Sequence, residues 1–302
     1  MRILVAGATG IIGKSLIGKF IKSGYLISYL TTSQSKINFF NNAKGYFWDP
    51  SKGYIDTNCF NDVTCIINLS GHSVSNIWTR KNKEKIIDSR IISTKLLFNN
   101  IKLKKNNLKI VNYISASAIG CYQSSMNKIY DEKSETHKNS FLQKLVFEWE
   151  NEASKFNLIG CNVSLIRIGL VLSKSGGVLR PLKLFSNFGL GTAFGSGNQF
   201  QSWIHLEDLA SIFLFIVENK LGGIYNAVAP NPVSQKELLK SISKRLNRPF
   251  LLPSIPSFIL KKLIGEMSTL VLDSQNVSSS KIVKKGFNFK HPYLKMALKD
   301  LF

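Results

Sequence analysis

The chain has 302 residues, 44% of them hydrophobic, and 40 Lys+Arg against 18 Asp+Glu give a formal net charge of +22. That apolar share supports a sizeable core in one large domain or two smaller ones and excludes wholesale disorder, while no apolar run reaches the roughly 18 residues that span a bilayer. The charge would suit nucleic acid or an anionic surface, but the lysines are spread out, apart from short clusters such as KLKK at 102–105, so no specific nucleic-acid partner is expected.

Residues 2–6 read as a short buried strand. Gly7-Ala8-Thr9-Gly10-Ile11-Ile12-Gly13 follows, and then apolar residues at Ile12, Leu16, Ile17, Phe20 and Ile21, the spacing of one helix face. Gly24 ends that helix, and residues 25–30 form the next strand. A G-x-x-G-x-x-G between a strand and a helix is a dinucleotide cradle. Gly7 permits the tight turn, Gly10 lets backbone approach a pyrophosphate, and Gly13 lets the helix pack on the strand. The helix start adds N–H groups and the positive end of its dipole. Gly7, Thr9, Gly10, Ile11, Ile12 and Gly13 are therefore expected cofactor contacts. Because the motif begins at once, no leader and a cytoplasmic location are expected.

At the end of the second strand an acidic residue would hold the ribose of NAD, and a basic one the 2′-phosphate of NADP. Thr31, Thr32 and Ser33 carry neither charge. Hydroxyls bond phosphate and Lys36 is near in sequence, so NADP is expected, with NAD as the alternative.

Residues 63–69 (VTCIINL) form a buried-strand pattern that ends at Ser70-Gly71, with His72 read as a loop histidine. Residues 78–100 read as a long helix carrying Arg90, whose guanidinium suits a phosphate or carboxylate. Another buried strand covers 109–115 and runs into ISASAIGCYQ at 114–123. Its serines, Ser117 first and Ser115 second, fall at the strand edge where ligands bind in parallel sheets. Residues 161–168 form the next strand, and Gly169, Leu170 and Val171 follow at its edge. The glycine-rich GLGTAFGSGNQF at 189–200 is a loop, and Gln199, Gln201 and Trp203 are expected to reach substrate. His205 and Asp208 are read structurally, Asp208 capping or anchoring the helix that follows. Further helices are expected at 235–246 and 257–264. Cys59, Cys65, Cys121 and Cys161 lack close pairing and are expected reduced and buried. His72, His137, His205 and His291 are scattered, so no metal site is expected.

The glycine motif, INLSG at 67–71, SASAIG at 115–120 and SWIHLEDLA at 202–210 together resemble the extended short-chain dehydrogenase/reductase superfamily. WTRKNKEKIIDSRIIST at 78–94, FLQKLVFEWE at 141–150 and IRIGLVLSKSGGVL at 166–179 resemble its epimerase-family branch more closely, some members of which are labelled SulA-type cell-division inhibitors. The resemblance runs essentially the length of the chain. It implies an α/β, Rossmann-type doubly wound parallel sheet in 1–230, with 176–204 contributing to a smaller substrate lobe completed by 231–302. It implies NAD(P) binding, with Leu69, Ser70, Gly71, Arg90 and Val171 beside the cofactor, and it matches Ser117 to the superfamily's catalytic serine or threonine.

The superfamily also keeps a Tyr-x-x-x-Lys on one helix face, where the lysine lowers the tyrosine pKa. Counting on from Ser117 lands near Phe141 and Leu142, with Leu145 four residues beyond Phe141. Lys144 is offset by one position, about 100° around a helix. The pair is absent, and Tyr122 is the tyrosine nearest the strand end. Two functions follow. One is an NADP-dependent oxidoreductase or epimerase-like enzyme moving a hydride on a small carbonyl or sugar-like substrate, with Ser117 positioning and Tyr122 as acid. The other is a non-catalytic NADP-binding regulator, linked through the family label to cell division.

Overall fold

The computed structural model describes residues 1–103 and 109–302, so Lys104 and Lys105 of the KLKK cluster lie outside the described residues. The first half runs β1 (Arg2–Ala6), α1 (Ile11–Lys22), β2 (Leu26–Thr31), β3 (Ala43–Asp49), β4 (Tyr54–Ile55), β5 (Val63–Asn68), α2 (Arg80–Leu103), β6 (Asn112–Ala118), β7 (Ile129–Tyr130) and α3 (Phe141–Ser154). The second runs β8 (Asn162–Ile168), β9 (Leu170–Ser173), β10 (Gly176–Gly177), α4 (Leu179–Asn187), β11 (Phe200–Gln201), β12 (Trp203–His205), α5 (Leu206–Glu218) and β13 (Gly223–Ala227). The chain ends with β14 (Val233–Ser234), α6 (Gln235–Arg245), α7 (Ser257–Ile264), α8 (Thr269–Leu272), β15 (Asn276–Val277), α9 (Ser280–Lys284) and α10 (Leu294–Leu301).

Eight strands form one sheet in the order β13-β8-β6-β5-β1-β2-β3-β4, parallel except for the short antiparallel β4 at the edge. Both faces are covered, which is why its strands are apolar throughout rather than alternating. Period two still sorts them. Ile3 and Val5 join Leu16, Ile17 and Phe20 of α1 and Ile212, Phe213 and Ile216 of α5. Leu4 and Ala6 point the other way, to Leu97 and Ile101 of α2 and to Phe156. This is the doubly wound α/β fold expected from the sequence.

β1 pairs with β2 on one side and β5 on the other, so the strand order reverses between β1 and β5. A crevice opens there, outside the carboxyl ends of the strands. Register aligns those ends: Ala6 is level with Asn68, Asn68 with Ser115, and Ala118 with Ile168.

The small elements pack beside this edge. β9, β10 and β12 make a three-stranded sheet, β11 pairs with β14, and β15 with β7. Their core gathers Leu172, Leu179, Trp203, Leu238, Ile242 and Leu298. All four cysteines are buried thiols. No helix among the described residues is long and apolar enough to cross a membrane.

Candidate functional site

The glycine turn is dictated by backbone contact. Gly7 sits at φ +77°, and a Cβ there would lie 2.6 Å from the carbonyl carbon and oxygen of Leu69. A Cβ on Gly13 would strike the carbonyl oxygens of Ala8 and Gly7. Gly10 differs. Its Cβ would meet only Gly7 O, at 3.3 Å, a tight contact that asks for a small shift of the turn rather than the collision met at Gly7 and Gly13. Gly10 is also the N-cap of α1 and supplies no side-chain cap, so the first N–H groups of the helix are left for a ligand.

A cavity of about 550 Å³ lies over this turn, within the range of small-molecule sites. It brings together Gly7, Gly10, Ile11, Ile12 and Gly13 with Leu69, Ser70 and Gly71, Arg90, Ser117, Tyr122 and Val171. Leu142, Leu145, Val146 and Trp149 of α3 form another wall, and Gln201, Thr269 and Asp273 close it from the C-terminal side. Thr9, Thr31 and Thr32 are not among the walls. Thr31 is buried, and its Oγ1 accepts the Ser33 N–H at 3.2 Å.

The loop glutamines and tryptophan divide. Gln201 lines this cavity and Gln199 lines a second one beside it, whereas Trp203 lines neither. The Gln199 amide is spent on Phe194 O and Val271 O, at 2.9 and 2.8 Å. Trp203 is fully buried and donates to Asn231 O at 3.0 Å.

Ser117 and Tyr122 belong to one buried polar network. Ser117 Oγ donates to Glu150 Oε1 at 2.5 Å. Arg167 clasps the same carboxylate with two bonds, Nε to Oε1 at 2.9 Å and Nη2 to Oε2 at 2.8 Å, the fork geometry that suits arginine. Burial alone would lower the Arg167 guanidinium, but its bonding to Glu150 lifts it above the ordinary arginine value. Its Nη1 donates to Tyr122 Oη at 3.0 Å, and that hydroxyl donates to Asn226 Oδ1 at 2.8 Å. Tyr122 is 1% exposed, and burial pushes its phenol up to about 12 even beside Arg167.

Sequence reasoning passed over Glu150, Arg167 and Asn226. Each looks like an ordinary helix or strand position until the sheet register sets Ser117 level with Arg167. Trp149 was missed too, although it sits next to Glu150 in FLQKLVFEWE.

Six buried side-chain nitrogens or oxygens among the described residues lack a hydrogen-bond partner. Three of them, Ser70 Oγ, Arg90 Nε and Trp149 Nε1, come from walls of this one cavity. Buried polar groups are almost always satisfied in native proteins. Polar residues with unspent donors beside a glycine cradle fit a ligand rich in oxygen acceptors, as a dinucleotide is.

Two of the four scattered histidines come together elsewhere. His205 and His291 stack with ring centroids 3.9 Å apart, and with Asp300 they offer ligand atoms within 4.8 Å of one another. The proximity corrects the expectation drawn from sequence spacing, because residues 205 and 291 meet only through tertiary packing. The chemistry is nonetheless that of a clasp. His205 is the N-cap of α5, its Nδ1 accepting the Glu207 N–H at 3.2 Å, so a neutral ring carries its proton on Nε2 and has no lone pair there for a metal. Asp208 is an anchor rather than the cap: it accepts the N–H groups of Lys290 and His291 at 2.8 and 2.9 Å.

Comparison with known proteins agrees with this geometry. The model of the NAD dependent epimerase/dehydratase family matches residues 3–227, and that of a Domain of unknown function (DUF1731) matches 255–301. An epimerase family protein of Staphylococcus aureus is 34% identical over 99% of this chain and 98% of its own length. The human epimerase family protein SDR39U1, solved with NADPH, superposes with a TM-score of 0.85 at 26% identity, covering 100% of this chain and 99% of that one. UDP-glucose 4-epimerase of Thermus thermophilus, solved with NAD, shares the fold with a TM-score of 0.76 at 14% identity over 100% of this chain and 99% of its own. The fold and cleft are those of an extended short-chain dehydrogenase/reductase. The chain belongs to the NAD dependent epimerase/dehydratase family.

Proposed function

We propose that the protein is an NADP-dependent oxidoreductase or epimerase-like enzyme that acts on a small carbonyl or sugar-like substrate. The observation that carries this reading is the cleft itself, with the glycine turn on one side, the ends of β6 and β8 on the other, and unpartnered buried donors between them. The NADPH bound to the human relative and the absence of any acid at Thr31, Thr32 and Ser33 favour NADP over NAD. Residues 7–13 would hold the pyrophosphate, and Leu69, Ser70, Gly71, Arg90 and Val171 the nicotinamide half. When bound, the nicotinamide supplies or accepts the hydride.

Ser117 is our candidate for holding the substrate oxygen. Its hydroxyl donates to Glu150 as the site stands, leaving its lone pairs to accept from a substrate hydroxyl; to hold a carbonyl oxygen in the reducing direction it would turn that proton from Glu150 to the substrate. Tyr122 is a weaker candidate for the acid than its place in the sequence suggests, because Asn226 already takes its proton. Asp273 is the alternative: among the described wall residues it is the one carboxyl, and burial raises its pKa. A second cavity shares Thr269 and Asp273 with the first and is edged by Ser124, Ser125, Ser196, Ser257, Ser268 and Ser274. Such a hydroxyl-rich wall suits a polyhydroxylated substrate. We take 1–230 as the dinucleotide-binding part, with 176–204 and 231–302 as the substrate lobe. The pairing of β11 with β14 and the shared core of α4, α6 and α10 support that division.

The test is NADPH oxidation across a panel of small aldehydes, ketones and nucleotide-sugars. Ser117→Ala should lower turnover roughly 10²-fold with cofactor binding intact. A cofactor-saturated protein that turns over nothing in the panel would favour the second reading, a non-catalytic regulator. The apolar Leu142, Leu145 and Val146 on the α3 wall are the observation on its side.

A further inference from the structure

The substrate lobe carries apolar side chains that nothing covers. Phe188 is 72% exposed, Leu251 86%, Phe258 69% and Leu263 72%. A single exposed leucine or phenylalanine is ordinary, but a contiguous set marks an interaction surface. α4 buries Leu179 and Ser186 and leaves Phe185 exposed, with Phe188 just past its end. α7 buries Leu260 alone, although Phe258, Ile259 and Leu263 are apolar too.

Hydrogen bonds join these segments into one face. Ser243 Oγ of α6 donates to Ser186 Oγ of α4 at 3.2 Å. Thr192 Oγ1 donates to Pro253 O at 2.6 Å. The Ile255 N–H donates to Ala193 O and the Gly195 N–H to Ile255 O, each at 2.8 Å. The loop that carries Leu251 is therefore laid against the loop that follows α4, and α7 continues from it at Ser257.

Charge says what this face meets. Residues 179–200 and 238–265 contain no Asp or Glu. Arg180 and Arg248 are exposed on them, and the last turns of α6 and α7 each carry a pair of bases, Lys244 with Arg245 and Lys261 with Lys262. A second copy of a chain with net charge +22 would bring the same bases to the face and repel it. An anionic lipid surface complements it: apolar tips enter the boundary between headgroups and acyl chains, and the bases meet lipid phosphates. Side chains this exposed project rather than line a groove, which suits fluid lipid.

We propose that the face formed by α4, the 247–256 loop and α7 docks peripherally on an anionic membrane surface. The contact needs no spanning helix, and none is present among the described residues. Ser257 and Lys261 also line the second cavity, so docking brings the edge of that cavity to the lipid. The proposal is independent of the reaction proposed above.

The test is flotation of the full chain with vesicles of phosphatidylglycerol and phosphatidylcholine in equal parts, against phosphatidylcholine alone, at low ionic strength. Wild type should bind the mixed vesicles and not the neutral ones. Leu251→Ser with Phe258→Ser, at two exposed positions, should leave thermal unfolding unchanged and weaken partitioning roughly tenfold or more. Arg248→Gln with Lys262→Gln should weaken it roughly tenfold or more. Lys22→Gln with Lys285→Gln removes the same charge from the ends of α1 and α9 and should change it less than about twofold, because charges beyond a Debye length are screened. Equal weakening by the two charge pairs would mean that net charge alone holds the protein, and overturns the proposal. Absence of vesicle binding, or binding indifferent to Leu251 and Phe258, overturns it as well. Self-association in sedimentation that Leu251→Ser with Phe258→Ser abolishes would give the face to a second copy, and overturns it too.

Discussion

The glycine turn and the β6–α3–β8 edge sit on opposite walls of one cleft, and they encode function in different ways. The turn is written in backbone. Gly7 and Gly13 are glycine because a Cβ would collide with carbonyl groups of the same fold. The opposite wall is written in side chains drawn from distant positions. Ser117, Glu150, Arg167, Tyr122 and Asn226 span more than a hundred residues of sequence and act as one buried unit. In this chain the cradle is present, while α3 carries no Tyr-x-x-x-Lys.

The largest break in this comparison comes from removing the hub of the side-chain wall. Glu150→Ala strips Arg167 of its partner in a site where Arg167 is 4% exposed. Breaking a buried pair from one side typically costs about 3–5 kcal/mol, and urea unfolding should report a loss of that order. A loss below about 1 kcal/mol, the range of exposed pairs, would mean that water replaces the carboxylate and that the wall is not a unit.

Tyr122→Phe separates structure from chemistry on the same wall. It deletes the bonds to Asn226 and Arg167 and should cost about 1–3 kcal/mol of stability, leaving NADPH affinity unchanged. A fall of roughly 10²-fold in turnover with stability intact would restore Tyr122 as the acid.

On the cradle side, NADPH should bind about tenfold more tightly than NADH, or ~1.4 kcal/mol, because no carboxylate at Thr31, Thr32 or Ser33 repels a 2′-phosphate. Competition binding measures this directly, and an NADH preference would contradict it.

The smallest effect lies outside the cleft, at the clasp. Burial and the neighbouring His291 lower the His205 pKa, against the opposing pull of Asp300, Asp208 and Glu207. The unfolded chain then binds a proton that the folded chain refuses. Stability from this group is fully present above the ordinary histidine value near ~6.5 and is lost as pH falls below it toward the lower folded value. His205→Asn keeps an N-cap acceptor and should flatten the slope of unfolding free energy between about pH 7.5 and about pH 5.5, on either side of that ordinary value. An unchanged slope would place the titration elsewhere.

Much of the fold was legible because its signals are local. The strand–glycine–helix start, the apolar run at 63–69 and the helix at 257–264 recur in the structure within a residue or two. The strand-end residues of the cleft, Gly7, Leu69, Ser70, Gly71, Ser117 and Val171, were legible for the same reason, since strand ends in a parallel sheet converge on one edge. What stayed hidden depends on register and on long-range packing. Nothing near Gln199 announces that its amide is spent on Val271 O. Nothing near Arg90 announces that it forms no ion pair among the described residues. His205 and His291 looked unrelated because 86 residues separate them in a chain that folds them into contact.

The measurement that tests the central claim most directly is calorimetric titration of NADPH into wild type and Gly10→Val. Gly10 is the turn glycine at which a Cβ meets least, a single 3.3 Å contact with Gly7 O, so the variant, its folding checked by thermal unfolding, should meet the ligand with a side chain where backbone must approach the pyrophosphate. The account expects wild type to bind and the folded variant to lose roughly a hundredfold or more in affinity, about 2.7 kcal/mol. Equal affinity in a folded Gly10→Val protein would contradict it.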